Sequence, residues 1–440
     1  MKVQILKWTQ LQVLFIFSNL NIKQVKIVKA VGVVVEYNPF HNGHFYHIQE
    51  SKKQTNADCI IAVMSGNFLQ RGEPALLSKW SRTKMALQGG ADIVIELPYA
   101  FATQKAEIFA NGSISILDAM KCSEMCFGSE HGSIQEFNAT VTFMSNNEEI
   151  FNNNIKRALK QGVSYPKAAS LAYYELHGRE TFLDLSKPNN ILGYHYVKAI
   201  HDQAARIKAT TIQRTSSDYH DQDLPSSPIA SATSIRKALF NSERSLDEIE
   251  KFVPISTKSE LQTYIDHYKL LHSWELYFGL LKYKLLTLSR KELQQLYEIE
   301  EGLENRFVTQ IKSSHTFQEF MENIKTKRYT WTRLQRVCCH ILTHTTKEQM
   351  SSIQTNPRST YLRLLGMTQK GQHYLQSVKK DITLPLVANL SSYSDHIMEL
   401  DIKAANTYAM IFDEPIRSNY MKMEYSTPPI RYNEETQAFN

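Results

Sequence analysis

From residue 31 onward, short apolar runs alternate with longer amphipathic stretches. Residues 31–35, 59–64, 93–97, 125–128 and 210–213 are of strand length, the first of them rich in valine. Between them, 43–55, 78–88, 107–120 and 190–200 carry apolar positions at helical spacing. This β-α alternation predicts an α/β fold, a Rossmann-like doubly wound parallel sheet. Ligands of such sheets bind outside the carboxyl ends of the strands, so His41, Ser65 and Gly128 are expected to face one crevice.

After about residue 240 the pattern changes to stretches rich in Leu, Lys, Glu and Tyr, with helical periodicity and few strand signals. The expected organisation is an extension over 1–29, a catalytic domain over 30–250 and a mainly α-helical domain over 251–440. The clearest late helix, 330–342, places Trp331, Leu334, Val337, Cys338 and Ile341 on one face and Arg333, Arg336 and His340 on the other. Lys325, Lys327 and Arg328 precede it, so cations and aromatic rings interleave. That suits an RNA-facing surface; the plain alternative is a solvated helix face. No internal repeat or low-complexity tract stands out, and the tail after Ser426 reads as loose.

The sharpest local pattern is VGVVVEYNPFHNGHFYH, residues 31–47. A β-branched run meets a break at Asn38-Pro39, and two histidines three apart then open a helix. His41 and His44 would sit where free helix N–H groups and the positive end of the macrodipole favour phosphate oxygens. Gly43 between them permits close approach of a ligand to the backbone, while Asn38 and Asn42 add hydrogen-bonding groups. Helix capping alone would also explain the pair. Neither G-x-x-x-x-G-K-[ST] nor G-x-G-x-x-G occurs, and without H-E-x-x-H the histidines do not read as zinc ligands.

A second pattern, IASATSIRKAL at 229–239, puts Ser231, Thr233 and Ser234 at a helix start with Arg236 and Lys237 in its first turns. Hydroxyls and N–H groups there can hold phosphate oxygens while Arg236 neutralises charge; an ordinary capped amphipathic helix is the competing reading.

Composition narrows the class. With 42% hydrophobic and 21% charged residues in 440, the chain can bury a large core and is neither disordered nor membrane-embedded. A net charge of +6 permits a nucleic-acid partner without requiring one. Cys59, Cys122, Cys126, Cys338 and Cys339 are odd in number and form no paired C-x-x-C knuckles, which fits buried thiols in a reducing cytoplasm. In the extension, an apolar run at 11–17 follows Lys2 and Lys7 but leads into Asn19, Asn21 and Lys23 with no clear cleavage site. The extension is therefore expected to be a disordered leader, or the result of an upstream start chosen in place of Val28. No later segment approaches the ~20 apolar residues that span a bilayer.

A histidine motif after the first strand, followed much later by a hydroxyl-rich segment with a basic residue, resembles the nucleotidylyltransferase superfamily. The likeness sharpens with EYNPFHNGHFYH, MSGNFLQRGEPA, ELPYAFA, FGSE, SYPKA, PNNILGYHY, SATSIRK and KRYTWTRLQR in that order. Together they resemble the tRNA(Met) cytidine acetate ligase family. The resemblance implies an HxGH-type nucleotidylyltransferase fold with ATP as substrate and Mg2+ assisting, although no acidic cluster marks its ligands. It implies an ATP site made of Val34, Val35, Glu36, Tyr37, Asn38, Pro39, Phe40, His41, Asn42, Gly43, His44, Phe45, Tyr46 and His47, with Gly128, Asn189 and Arg214. It further implies that acetate becomes acetyl-adenylate, and that N4 of the wobble cytidine of elongator tRNA(Met) then takes the acetyl group. On this reading His41, His44 and Arg236 are the catalytic candidates and Ser234 faces pyrophosphate. Lys325, Lys327, Arg328, Arg333 and Arg336 are the candidates for tRNA.

Three rival readings are weighed. An acetyl-CoA-dependent acetyltransferase would need the loop [QR]-x-x-G-x-[GA]; the nearest segment, 363–368, ends in threonine and falls in the expected helical domain. An adenylyltransferase for a small phosphate-bearing metabolite would not need tRNA. A non-catalytic RNA-binding protein on the same fold would not need the histidines.

Overall fold

The computed structural model describes residues 28–177, 183–214, 228–240 and 246–439. The expected extension therefore lies almost wholly outside the described residues. Five parallel strands carry the site: β1 (Ala30–Val35), β2 (Cys59–Ser65), β3 (Ile93–Leu97), β4 (Glu124–Ser129) and β5 (Lys208–Gln213). Their order is β5-β4-β1-β2-β3, so the chain winds outward in both directions from β1. Strands β2 and β3 are buried throughout, as β-branched and apolar runs covered on both faces must be. The helices expected between them are α1 (Asn42–Thr55), α2 (Lys79–Gln88), α3 (Ala106–Ala119) and, after β4, α7 (Pro188–Asp202). Three further helices, α4 (Ile134–Asn146), α5 (Glu148–Leu159) and α6 (Tyr165–His177), fill the stretch after β4 that periodicity left unassigned. The SATSIRK helix is α8 (Ala232–Phe240), and α9 (Trp331–Leu342) is the late helix, starting one residue after the expected 330, with Thr330 as its N-cap.

The second half is mainly helical, but it also extends the sheet. Strand β6 (Leu362–Thr368) lies antiparallel to β3, flanked by β7 (Leu386–Val387) and β8 (Ile430–Asn433), with β9 (Ala438–Phe439) outermost. The segment 363–368, expected in a helical domain, is thus a buried strand. Its LRLLGMT sequence lacks β-branched residues until the last position, and a short apolar run of Leu and Met does not separate strand from helix by period. Nor does the sheet break near residue 250: one apolar core runs from Ala30 to Tyr420.

Buried charges stitch the late segments to the early ones. Lys79 of α2 bonds Glu96 of β3 at 2.8 Å and, at 2.7 Å, Glu424 of α11 (Ile416–Ser426). Asp401 of α10 (His396–Ala409) accepts the Tyr99 N–H at 2.6 Å and the Tyr361 hydroxyl. Among the described residues, no helix is long and apolar enough to cross a membrane.

Candidate active site

Strand β1 delivers the chain to the crevice, and Arg82 fixes how it leaves. This fully buried guanidinium donates to the carbonyls of Glu36 at 2.8 Å, Ser65 at 2.9 Å and Leu77 at 3.2 Å, and also to Gly66. It therefore ties the ends of β1 and β2 together. Asn38 locks the turn further, accepting the Leu76 N–H at 2.6 Å through Oδ1.

The two histidines then open α1 in a capping box of their own. His41 Nδ1 accepts the Gly43 N–H at 3.0 Å, and His44 Nδ1 accepts the His41 N–H at 3.3 Å. Each Nδ1 is spent as an acceptor, so the ring proton of each neutral imidazole resides on Nε2. The rings stack with centroids 3.7 Å apart. Burial pushes His41 down to about 3, helped by Arg214 and Arg236. It also holds His44 well below its ordinary value, with His41, His47 and Arg214 adding to the effect, and takes His47 to about 4. At neutral pH the pair is uncharged and offers two N–H donors.

Opposite lie the ends of β4 and β5. Arg214 follows β5, its N–H bonded to the Ser129 carbonyl at 2.9 Å, and passes Gly128 so closely that a Cβ there would meet its Cγ at 3.4 Å. Glu130 accepts from the Asn189 side chain at 2.7 Å and from the Asn190 N–H at 2.8 Å, capping α7 with a carboxylate. From α8, Arg236 donates to the Asn38 carbonyl at 2.9 Å and pairs with Glu73 at 3.1 Å.

These groups enclose a cavity of about 520 Å3 at the carboxyl ends of β1, β4 and β5. From the expected segment, Val34, Val35, Glu36, Tyr37, Asn38, His41, Gly43, His44, Tyr46 and His47 line it, as do Gly128, Asn189, Arg214 and Arg236. Pro39, Phe40, Asn42 and Phe45 do not. Phe40 is buried beneath Gly89, and Asn42 instead bonds the carbonyls of Pro228 and Lys251 at 3.0 and 2.9 Å. Ser234 is also behind the wall, its hydroxyl turned back to the Ser231 carbonyl at 2.9 Å, while Ser231 and Thr233 face the cavity. Gln70, Arg71, Glu73, Phe109, Tyr196 and Thr332 line it too, and sequence reasoning singled out none of them as site residues. For the first three, MSGNFLQRGEPA was the available signal.

The candidate RNA face differs more from expectation. Arg336 is buried and pairs with Glu298 at 2.9 Å, and His340 is buried against the Tyr99 hydroxyl at 2.9 Å. Neither lies on an open helix face. Arg333 pairs with Glu300 at 2.8 Å and covers the Tyr329 ring, and Arg328 pairs with Glu301 at 2.6 Å. Lys325 and Lys327 are exposed. The five cysteines are free and buried. Among the described residues, no three His, Cys, Asp or Glu side chains group as a metal site.

The family model for HIGH nucleotidyl transferases matches residues 28–423. A tRNA(Met) cytidine acetate ligase of Bacillus subtilis is 53% identical over 94% of this chain and 99% of its own length. Its counterpart from a Geobacillus strain is 54% identical over 92% of this chain and 100% of its own. The chain belongs to the tRNA(Met) cytidine acetate ligase family. Two solved Thermotoga maritima TmcAL structures have the same fold, each covering 92% of this chain and 100% of their own. The apo form has a TM-score of 0.86 at 32% identity, and the form bound with alpha-thio ATP has 0.84 at 31%. As a ligase family on a nucleotidyl transferase fold, it gives the neutral histidine pair an ATP-binding context. The acetyl-CoA loop has no counterpart at 363–368, which is interior strand.

Proposed function

We propose that this chain activates acetate with ATP as acetyl-adenylate, then transfers the acetyl group to N4 of the wobble cytidine of elongator tRNA(Met). The products are N4-acetylcytidine, AMP and pyrophosphate. The observation that carries this reading is the pair of Nε2–H donors on His41 and His44, set in one cavity with Arg214 and Arg236. When acetate attacks the α-phosphate, negative charge spreads over the phosphoryl oxygens. Fixed donors in a water-poor cavity stabilise that charge without reorganising, worth about 3 kcal/mol for one such donor. The neutral state of the rings matters too, because it keeps the cavity from accumulating charge before ATP arrives. Gly128 and Asn189 would bound the nucleoside side, with Ser231, Thr233 and Arg236 toward the pyrophosphate.

Mg2+ would offset charge on the triphosphate, an ion of a kind that needs few protein ligands. Glu73, which lines the cavity and pairs with Arg236, is a carboxylate that would be available to such an ion. For tRNA, Lys325 and Lys327 with Arg328 and Arg333 form the candidate surface, and Arg336 serves to hold α9 in place. Substrates of this kind put the protein in the cytoplasm.

Labelled acetate, ATP and tRNA incubated with the protein should give acid-precipitable label, with pyrophosphate released only when acetate is present. Label that enters tRNA only when acetyl-CoA replaces acetate and ATP would overturn the proposal.

A further inference from the structure

Acetyl transfer needs a group that accepts a proton, and the histidines are not free to be it. The exocyclic N4 of cytosine is conjugated with the ring and loses a proton as it becomes an amide. Both Nδ1 atoms of the His41–His44 pair already accept backbone N–H groups, which leaves the cavity only their Nε2–H donors. His47 Nε2 is sealed from the cavity without a partner. Of the carboxylates in the lining, Glu73 is committed to Arg236 at 3.1 Å. Glu36 remains.

Its position sets it apart from Gly128 and Arg214. Gly128 lies in β4 and Arg214 just after β5, on one side of β1 in the sheet order, whereas Glu36 turns toward the segment after β2, on the other side. There Oε1 accepts the Gln70 N–H at 2.8 Å, and among the described residues Oε2 has no hydrogen-bond partner. Phe109, Tyr196 and Thr332 also line the cavity, and Thr332 begins α9 just after the exposed lysines. Burial raises the Glu36 carboxyl above its ordinary range, opposed by the Gln70 N–H and reinforced by Glu73. Arg71, Arg236 and Arg82 face it with positive charge, and Tyr196 adjoins it.

We propose that Glu36 is the general base of acetyl transfer, taking the N4 proton of the cytidine through Oε2. This rests on the functional reading above. The N4 electron pair forms the bond to the acetyl carbon, the bond from that carbon to the phosphate oxygen breaks, and AMP leaves with the electron pair. The proton passes from N4 to Glu36 and then to water. Glu36 thus works in the second step, a narrower role than the ATP contact that its place in the 34–47 segment implied.

The two steps can be assayed apart, by acetate-dependent ATP–pyrophosphate exchange and by single-turnover transfer from preformed acetyl-adenylate to tRNA. Glu36→Gln should lower exchange by no more than about threefold and transfer by about 100-fold, the usual scale for a lost general base. Glu36→Asp should restore part of the transfer. Wild-type transfer should slow as pH falls through the raised carboxyl range, a limb that Glu36→Gln lacks. Equal loss of exchange and transfer in Glu36→Gln, or a wild-type transfer rate independent of pH between about 5 and 8, would overturn the inference. Wild-type protein without any acetate-dependent exchange would remove the functional reading itself, and this inference with it.

Discussion

His41 and His44 illustrate how little of a catalytic role lies in residue type alone. Each donates to the cavity because its other nitrogen is tied to the backbone of the other's turn. His44→Ala should therefore lower acetate-dependent pyrophosphate exchange by about 100-fold or more, while tRNA retention on a filter stays near wild type. A parallel loss of both would mean that the ring holds the fold and not the phosphate. The same dependence on neighbours limited the reading of SATSIRK. Three hydroxyls crowd that helix start, and the spacing does not say which two face outward; the Ser234 hydroxyl is consumed within the turn and Ser231 and Thr233 look into the cavity.

At the scale of elements, the five parallel strands were legible to within two residues at either end, because short apolar runs, β-branched in all but β4, alternate there with helical stretches. The β6 run was not, since leucine and methionine serve helix and strand alike. Helix α9 shows a different limit. Its helical period was visible, but its apparent polar face meets Glu298 and Glu300 and the turn at Gly72. A periodic pattern gives the faces of a helix, not what covers them. Gly72 itself has φ of +76°, and a Cβ there would strike the Arg336 backbone nitrogen. Trp274 also bonds its carbonyl at 2.8 Å. Gly72→Ala should therefore cost about 2 kcal/mol in urea unfolding and, by displacing Gln70 and Glu73, raise the ATP concentration needed for exchange. An unchanged unfolding midpoint would show that the turn is not pinned against α9.

Across the whole molecule, burial of neutral imidazoles makes stability depend on pH. His41 is held near 3, and His47, His195 and His340 near 4, while His44 and His272 are also pushed down. The unfolded chain takes up these protons below about pH 6.5, whereas the folded chain refuses them until much lower pH. Their contribution is complete above that value and is lost as pH falls toward 4, by up to about 1.4 kcal/mol per pH unit for each ring. Asp401, pushed up to about 7, and the raised carboxyls of Glu36, Glu260 and Glu424 work in the opposite direction, four groups against the six imidazoles. The urea midpoint should fall steadily from pH 6.5 to pH 5; a flat profile would mean that the imidazoles are protonated in the folded protein.

The Lys79–Glu424 contact spans 345 positions of sequence, and β3 is flanked by a strand made 265 or more residues after it. A ribosome thus finishes every residue that lines the cavity while the edge of β3 is still bare and the ammonium of Lys79 still lacks one of its two carboxylates. The growing chain must keep its phosphate-binding half soluble until the closing strand and helix have been made. Catalytic competence then waits on these late segments, which act as the clasp on the early ones.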